Sequence, residues 1–403
     1  MVTLNNSTRE MTNHYGKILF ISFVFIIFLL QFSFELAGDG ISANYLFIFF
    51  PLAIWLLSGS IKLPPKRLQS IIVTYVLIFI LAILYQFQYF AIADRRIAAF
   101  VLFMTGFVFC TINITKDFLL CFKIALVLVS VYYSLQALVS YLFLGGLALG
   151  YDAKGAVGSQ RFGFVYCMAI WLLQFYMPSR LQIRLLKYLL ITLISIGLFL
   201  TFSRSGVVAI IGSIVFYIGS QLSQPKGVRR FIKVAFIFLF LSIILYFVIL
   251  QTVPFVVDFY LVRLFSLETS TGEMVYDLDN PESSEGWRIY MMRVIGEFVL
   301  FNPVTGSGYL GSWILFEDRS GSAHSQYLDV LFRTGFIGFG LYVWLLYRLL
   351  QLLRYREPGL FYGLVAVLIY GLFHETFKLS HGAFIFSFLV GMLAQNYRDN
   401  HLS

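Results

Sequence analysis

The sequence predicts an all-α protein threaded many times through a membrane, on three observations. The chain is 60% hydrophobic and only 12% charged, about half the charged share of an ordinary soluble domain. Its apolar residues fall into many runs approaching 20 residues, the length a helix needs to cross a bilayer. Between those runs, Lys and Arg gather in alternate connections, as cytoplasmic loops require. The net charge of +9 mostly reports that asymmetry and is no sign of a nucleic-acid partner. Cys110, Cys121 and Cys167 lie in or beside apolar runs. Odd in number and without paired spacing, they read as packing residues, not as a disulfide framework or zinc site.

Met1 to Tyr15 is polar. Ile18–Phe34 is too long for a signal peptide and lacks a small-x-small cleavage site, so it reads as the first span. Further spans are expected at Tyr45–Leu57, Ile71–Phe90, Ile97–Ile112, Phe118–Leu147, Phe162–Met177, Leu185–Phe202, Val207–Gly219 and Phe231–Leu250. Three more follow at Tyr327–Leu353, Leu360–Phe373 and Ala383–Ala394. Twelve spans put both termini on the cytoplasmic side, with Lys62, Lys66, Arg67, Arg180, Arg184, Arg229, Arg230, Arg348, Arg354 and Arg356 among the inner cations. The expected organisation is an N-terminal transmembrane region, 1–251, with about nine spans; a large periplasmic catalytic loop, 252–326; and a C-terminal transmembrane region, 327–403, with about three. No internal repeat or low-complexity segment is present.

The loop within Gln251–Gly340 is the only long polar interruption, and so long a connection of mixed polarity is seldom a mere linker. Exceptions to the charge rule also stand on the outer side: Arg95, Arg96, Lys154, Arg161, Arg204, Arg263, Arg288, Arg293, Arg319, Arg333 and Lys378. An ionisable group near membrane depth is costly, and usually marks a functional pathway or a paired structural charge; singly, such arginines also snorkel to headgroups. A group of them offers an anion site, because the guanidinium fork binds phosphate oxygens in pairs and stays charged. Arg161 immediately precedes a span. Arg204 sits in the short hairpin Thr201–Gly206, where Ser203, Ser205 and Gly206 would let backbone amides approach a ligand at a helix start. Ser203 or Ser205 would also serve there as an ordinary N-cap.

Glu285–Phe301 has helical spacing, with Arg288, Met292, Ile295 and Val299 on one face. Arg288 thus opens an apolar stripe, whereas Arg293 can pair with Glu297 four residues on. Asp329 and Arg333 have the same ion-pair spacing. His324 stands just before the span beginning near Tyr327, and imidazole suits proton transfer near neutral pH; a histidine at a helix start is also commonly structural. Tyr309, Trp313 and Tyr327 could stack on sugars or belong to an interfacial belt. Asp277, Asp279, Glu282 and Glu285 read as solvated or sugar-binding, and the outer loops lack a compact carboxylate set for a metal.

These residues resemble a family. Gly286-Trp287-Arg288, Asn302-Pro303-Val304-Thr305-Gly306-Ser307-Gly308, Ala323-His324-Ser325-Gln326-Tyr327-Leu328 and Gly335-Phe336-Ile337-Gly338 look like the signature region of the bacterial O-antigen ligase/polymerase superfamily. Ser203-Arg204-Ser205-Gly206 and, more loosely, Gln160-Arg161-Phe162-Gly163 match earlier positions. One departure is Ser325, where Asn often follows the histidine. The resemblance implies a GT-C-like glycosyltransferase architecture in the bacterial inner membrane with a periplasmic active site. It implies an undecaprenyl-pyrophosphate-linked glycan donor, a sugar acceptor, surrounding membrane lipid, a chain-length regulator protein as a possible partner, and no metal or other cofactor. His324, Arg288 and Arg204 would be catalytic, with Arg161, Arg263, Tyr327, Ser203 and Ser205 binding substrate. The Wzy-type polymerase branch is favoured by the His324 motif and the Gly335–Gly340 run. The O-antigen ligase, which transfers glycan to lipid A-core, is the alternative. A transporter would show inverted repeats with paired broken helices, and none is legible.

Overall fold

A computed structural model describes residues 62–85, 93–143, 162–176, 178, 180–201, 203–222, 284–316, 323–377 and 380–399. The expected spans Ile18–Phe34, Tyr45–Leu57 and Phe231–Leu250 lie outside these, as do Arg161 and Arg263. Among the described residues the structure is helical, with no strand. In chain order the helices are α1 (Lys66–Tyr85), α2 (Ala93–Thr105), α3 (Lys116–Phe143), α4 (Gly163–Phe175), α5 (Leu181–Leu200) and α6 (Arg204–Leu222). They continue with α7 (Ser284–Phe301), the single turn α8 (Trp313–Phe316), α9 (Gln326–Arg356), α10 (Pro358–Tyr370) and α11 (Ser380–Asp399).

Five of these, α1, Lys116–Val139 of α3, α5, Arg204–Gln221 of α6, and α9, are long and apolar enough to cross a membrane; α4 and α10 are shorter apolar helices. The chain is a multi-pass membrane protein. Two expectations change in detail. The run Ile97–Ile112 is not one helix: α2 ends at Thr105 and a 3-10 turn, Val108–Thr111, follows. The last helix is longer than the apolar run Ala383–Ala394, because its final turn is polar and grips other backbone. There Arg398 donates to the carbonyls of Cys110 and Ile112, each at 2.7 Å.

The chain divides into two compact units that interleave along the sequence. In the first, α1, α2, the start of α3, most of α7, α9 and α11 surround a dense aromatic core. The Phe122 and Phe388 rings stack at 4.0 Å. The Tyr75 hydroxyl donates to the Gly338 carbonyl at 2.8 Å.

In the second unit α4 is apolar almost all round and almost wholly buried, packed against α5, α6 and α10. Trp171 Nε1 donates to Ser213 Oγ at 2.9 Å, which satisfies the one polar atom of a large buried ring. Lys187 Nζ donates to the Gln174 carbonyl at 2.9 Å, placing a cation on the last turn of α4, where the helix dipole favours it. The three cysteines are buried, as packing residues would be.

Candidate active site

The sequence reading treats Tyr327–Leu353 as one uninterrupted helix, and the structure corrects it. Gly335 has φ 64° and ψ −171° inside α9, so Gln326–Thr334 and the stretch after Gly335 are two helical segments meeting at a break. A break frees carbonyls and amides that must find partners. Here the stretch Asn302–Tyr309 supplies them. Ser307 N–H donates to the Phe332 carbonyl at 2.6 Å, Tyr309 N–H to the Arg333 carbonyl at 2.9 Å, and Phe336 N–H to the Pro303 carbonyl at 2.8 Å. Backbones this close exclude side chains. A Cβ on Gly335 would lie 2.5 Å from the Pro303 oxygen, and one on Gly306 would lie 2.2 Å from the Phe332 oxygen.

The rest of this loop is fixed in the same way. Arg96 is buried on α2 and donates from Nη2 to the Ser307 carbonyl at 3.3 Å. Arg333 pairs with Asp329 at 2.8 Å, the ion pair that their spacing implies, and donates to the Tyr309 carbonyl at 2.7 Å. Tyr309 is fully buried among Phe79, Phe100 and Phe103, with its hydroxyl on the Tyr75 carbonyl at 3.0 Å. That removes it from the sugar-stacking candidates; burial also pushes its phenol up from the ordinary range. The glycine-rich motif is therefore a joint that holds the short first segment of α9.

His324 stands at the head of that segment. Its φ is 48°, a left-handed conformation that costs a non-glycine residue of order 1–2 kcal/mol and that concentrates at functional positions. Ser325, extended, is the N-cap residue of α9, so His324 lies one place before the cap and is half-buried. Three hydrogen bonds tether the segment to the turn after α10. Ala323 N–H donates to Glu375 Oε1 at 2.6 Å, Gln326 N–H to the His374 carbonyl at 3.1 Å, and Phe377 N–H to Gln326 Oε1 at 2.7 Å. Glu375, only 9% exposed, escaped the sequence reading; its one signal is an acid in the short gap between two apolar runs. Tyr327 follows on α9, half-buried.

In the second unit Arg204 is the first residue of α6 and is half-buried. Ser203 caps the helix: its Oγ accepts the Gly206 N–H at 3.2 Å, one of the two cap readings the sequence allows. Ser203 and Ser205 are buried, with their hydroxyls 3.3 Å apart. The glycines bring helices close, since a Cβ on Gly206 would lie 3.5 Å from the Gly163 Cα. On α7 the apolar stripe differs from expectation by one residue. Met291, Ile295 and Val299 are buried, while Met292 is 54% exposed. Arg288 is half-buried and precedes Met291 by three positions, so it still opens the stripe. Arg293 pairs with Glu297 at 3.1 Å on the exposed side, as expected. Among the described residues no group of three or more His, Cys, Asp or Glu side chains could hold a metal.

The described residues define a class: a multi-pass membrane protein, helical throughout those residues, with a strained histidine at one helix start and an arginine at another. Residues 188–343 match the family model described as O-antigen ligase. That interval contains Arg204, Arg288, His324, Tyr327 and the break at Gly335, and supports the resemblance to the O-antigen ligase/polymerase superfamily. No curated protein matches the chain.

Proposed function

We propose that the chain is a membrane glycosyltransferase of the polymerase type, joining undecaprenyl-pyrophosphate-linked repeat units into O-antigen or a related polysaccharide on the periplasmic side of the inner membrane. The observation that carries this reading is His324, left-handed at the head of α9, beside the Ala323–Glu375 hydrogen bond and inside the interval that matches the O-antigen ligase family. In this reading the full topology has about twelve spans, cytoplasmic termini and a GT-C-like arrangement, and 252–326 is the catalytic loop. A chain-length regulator is the expected protein partner.

The chemistry is one displacement. An acceptor sugar hydroxyl attacks the donor's anomeric carbon, a new C–O bond forms, and the bond to pyrophosphate breaks. The hydroxyl proton passes to an imidazole nitrogen of His324, acting as general base. The lipid pyrophosphate leaves with the electron pair, and its charge is met by the forks of Arg204 and Arg288. Ser203 caps the helix that begins with Arg204. Arg161, Arg263, Ser205 and Tyr327 are assigned to substrate binding.

A ligase reading is kept because the matching family model carries that description. The two separate in the lipopolysaccharide of a strain lacking the gene. Cores bearing a single repeat unit support the polymerase, whereas bare cores with polymer still made on its lipid carrier support the ligase. Unchanged lipopolysaccharide, with another glycan polymerised to full length but no longer exported, contradicts both.

A further inference from the structure

At the end of α9 remote from His324, two arginines from different helices converge on one buried tyrosine of the first unit. Arg67, from the first turn of α1, stands 5.5 Å from the centre of the Tyr397 ring. Arg348 of α9 stands 5.7 Å from the same centre and donates from Nε to the Tyr397 hydroxyl at 3.0 Å. Arg348 is also aimed by Gln351, whose Oε1 accepts from Nη1 at 2.9 Å; Gln351 in turn donates to the Tyr347 hydroxyl at 2.5 Å. Among the described residues neither guanidinium meets a carboxylate. The nearest acid in sequence to Tyr397, Asp399, is engaged by Gln395 at 2.7 Å. The neighbouring Arg398 donates to the carbonyls of Cys110 and Ile112.

Two cations around one ring, with no carboxylate against either among the described residues, repel each other and invite a shared counter-charge. Arginine forks favour phosphate oxygens. The surroundings select its source. From Arg348 an exposed apolar face runs back along α9 through Tyr347, Trp344, Val343, Ile337 and Phe336. A neighbouring face on α1 exposes Val73, Leu77 and Ile80. Trp and Tyr at this level match headgroup depth, and the stripe beyond them is what acyl chains would cover. A free phosphate has no use for it.

We propose that Arg67, Arg348 and Tyr397 form a site for the phosphodiester headgroup of an anionic bilayer phospholipid, separate from the proposed glycan chemistry. Two basic residues at a membrane surface give a preference for anionic lipid of roughly ten- to thirtyfold. The test is native mass spectrometry of the full-length chain in neutral detergent, with phosphatidylglycerol and phosphatidylcholine competing. The wild-type protein should retain phosphatidylglycerol by that margin. R67Q/R348Q should lose most of the preference, and K62Q/K66Q, which removes two nearby exposed lysines outside the network, should keep it. R67K/R348K preserves charge and should fold if the glutamine pair does not; its preference should drop severalfold because the fork is lost. Equal retention of the two lipids by wild type overturns the proposal. So does an equal loss in K62Q/K66Q, an unchanged ratio in R67K/R348K, or displacement of the lipid by millimolar inorganic phosphate.

Discussion

The Glu375 carboxylate accepts the Ala323 backbone N–H at 2.6 Å, across 52 residues of sequence. This bond fixes the residue immediately before His324 and so helps to hold the imidazole's backbone where no neighbouring helical bond can. Glu375→Ala should lower turnover by about tenfold, the equivalent of one lost hydrogen bond. Glu375→Gln keeps an acceptor oxygen and should retain most of the rate. Donor affinity should change little in either. Wild-type turnover in Glu375→Ala would show that the tether does not position His324.

The break in α9 makes a stability prediction with an internal control. Gly335→Ala places a Cβ against the Pro303 and Val304 carbonyls at a positive φ, and should cost about 2–5 kcal/mol. Gly340→Ala, five residues on, meets nothing within 4 Å and should be neutral or mildly stabilising, since alanine is the better helix former. Thermal unfolding of the detergent-solubilised variants compares them. Equal midpoints would mean that the break is not the required conformation.

Much of this architecture was legible, and the misses share a cause. Arg293–Glu297 and Asp329–Arg333 follow from spacing within one helix; residue type before an apolar run left the cap open between Ser203 and Ser205, and the structure selects Ser203. The break at Gly335 was hidden because apolar residues continue on both sides, and its backbone angles are set by carbonyls some 30 residues away. Helical periodicity lets either Met291 or Met292 lead to Ile295, and tertiary packing buried the first. Glu375 acquires meaning only through its contact with Ala323.

The leaving-group role separates charge from geometry. Arg204→Ala and Arg288→Ala should each lower the rate about 10²–10³-fold, as loss of a transition-state donor does. Lysine at either position keeps the charge without the fork and should fall between. Full-length polymer made at wild-type rates by both alanine variants, with normal membrane insertion, would dismiss an anion site there.

Topology is open to a direct check by reporter fusions. Fusions after Arg184, Arg230 and Arg356 should report cytoplasm, and fusions within 272–282 should report periplasm. A cytoplasmic signal from 272–282 would remove the proposed site from the side on which the lipid-linked donor is presented.

The most direct test of the central claim is the turnover of purified His324→Gln beside wild type, on a defined lipid-linked glycan, as a function of pH. A general base must be neutral to accept the hydroxyl proton. Wild-type rate should therefore fall at low pH, as the imidazole protonates. His324→Gln should bind donor normally and turn over about 10²–10⁴-fold more slowly, without that pH dependence. Weakened donor binding with turnover of bound donor intact would move His324 to the pyrophosphate. Near-wild-type turnover in His324→Gln would contradict the mechanism at its centre.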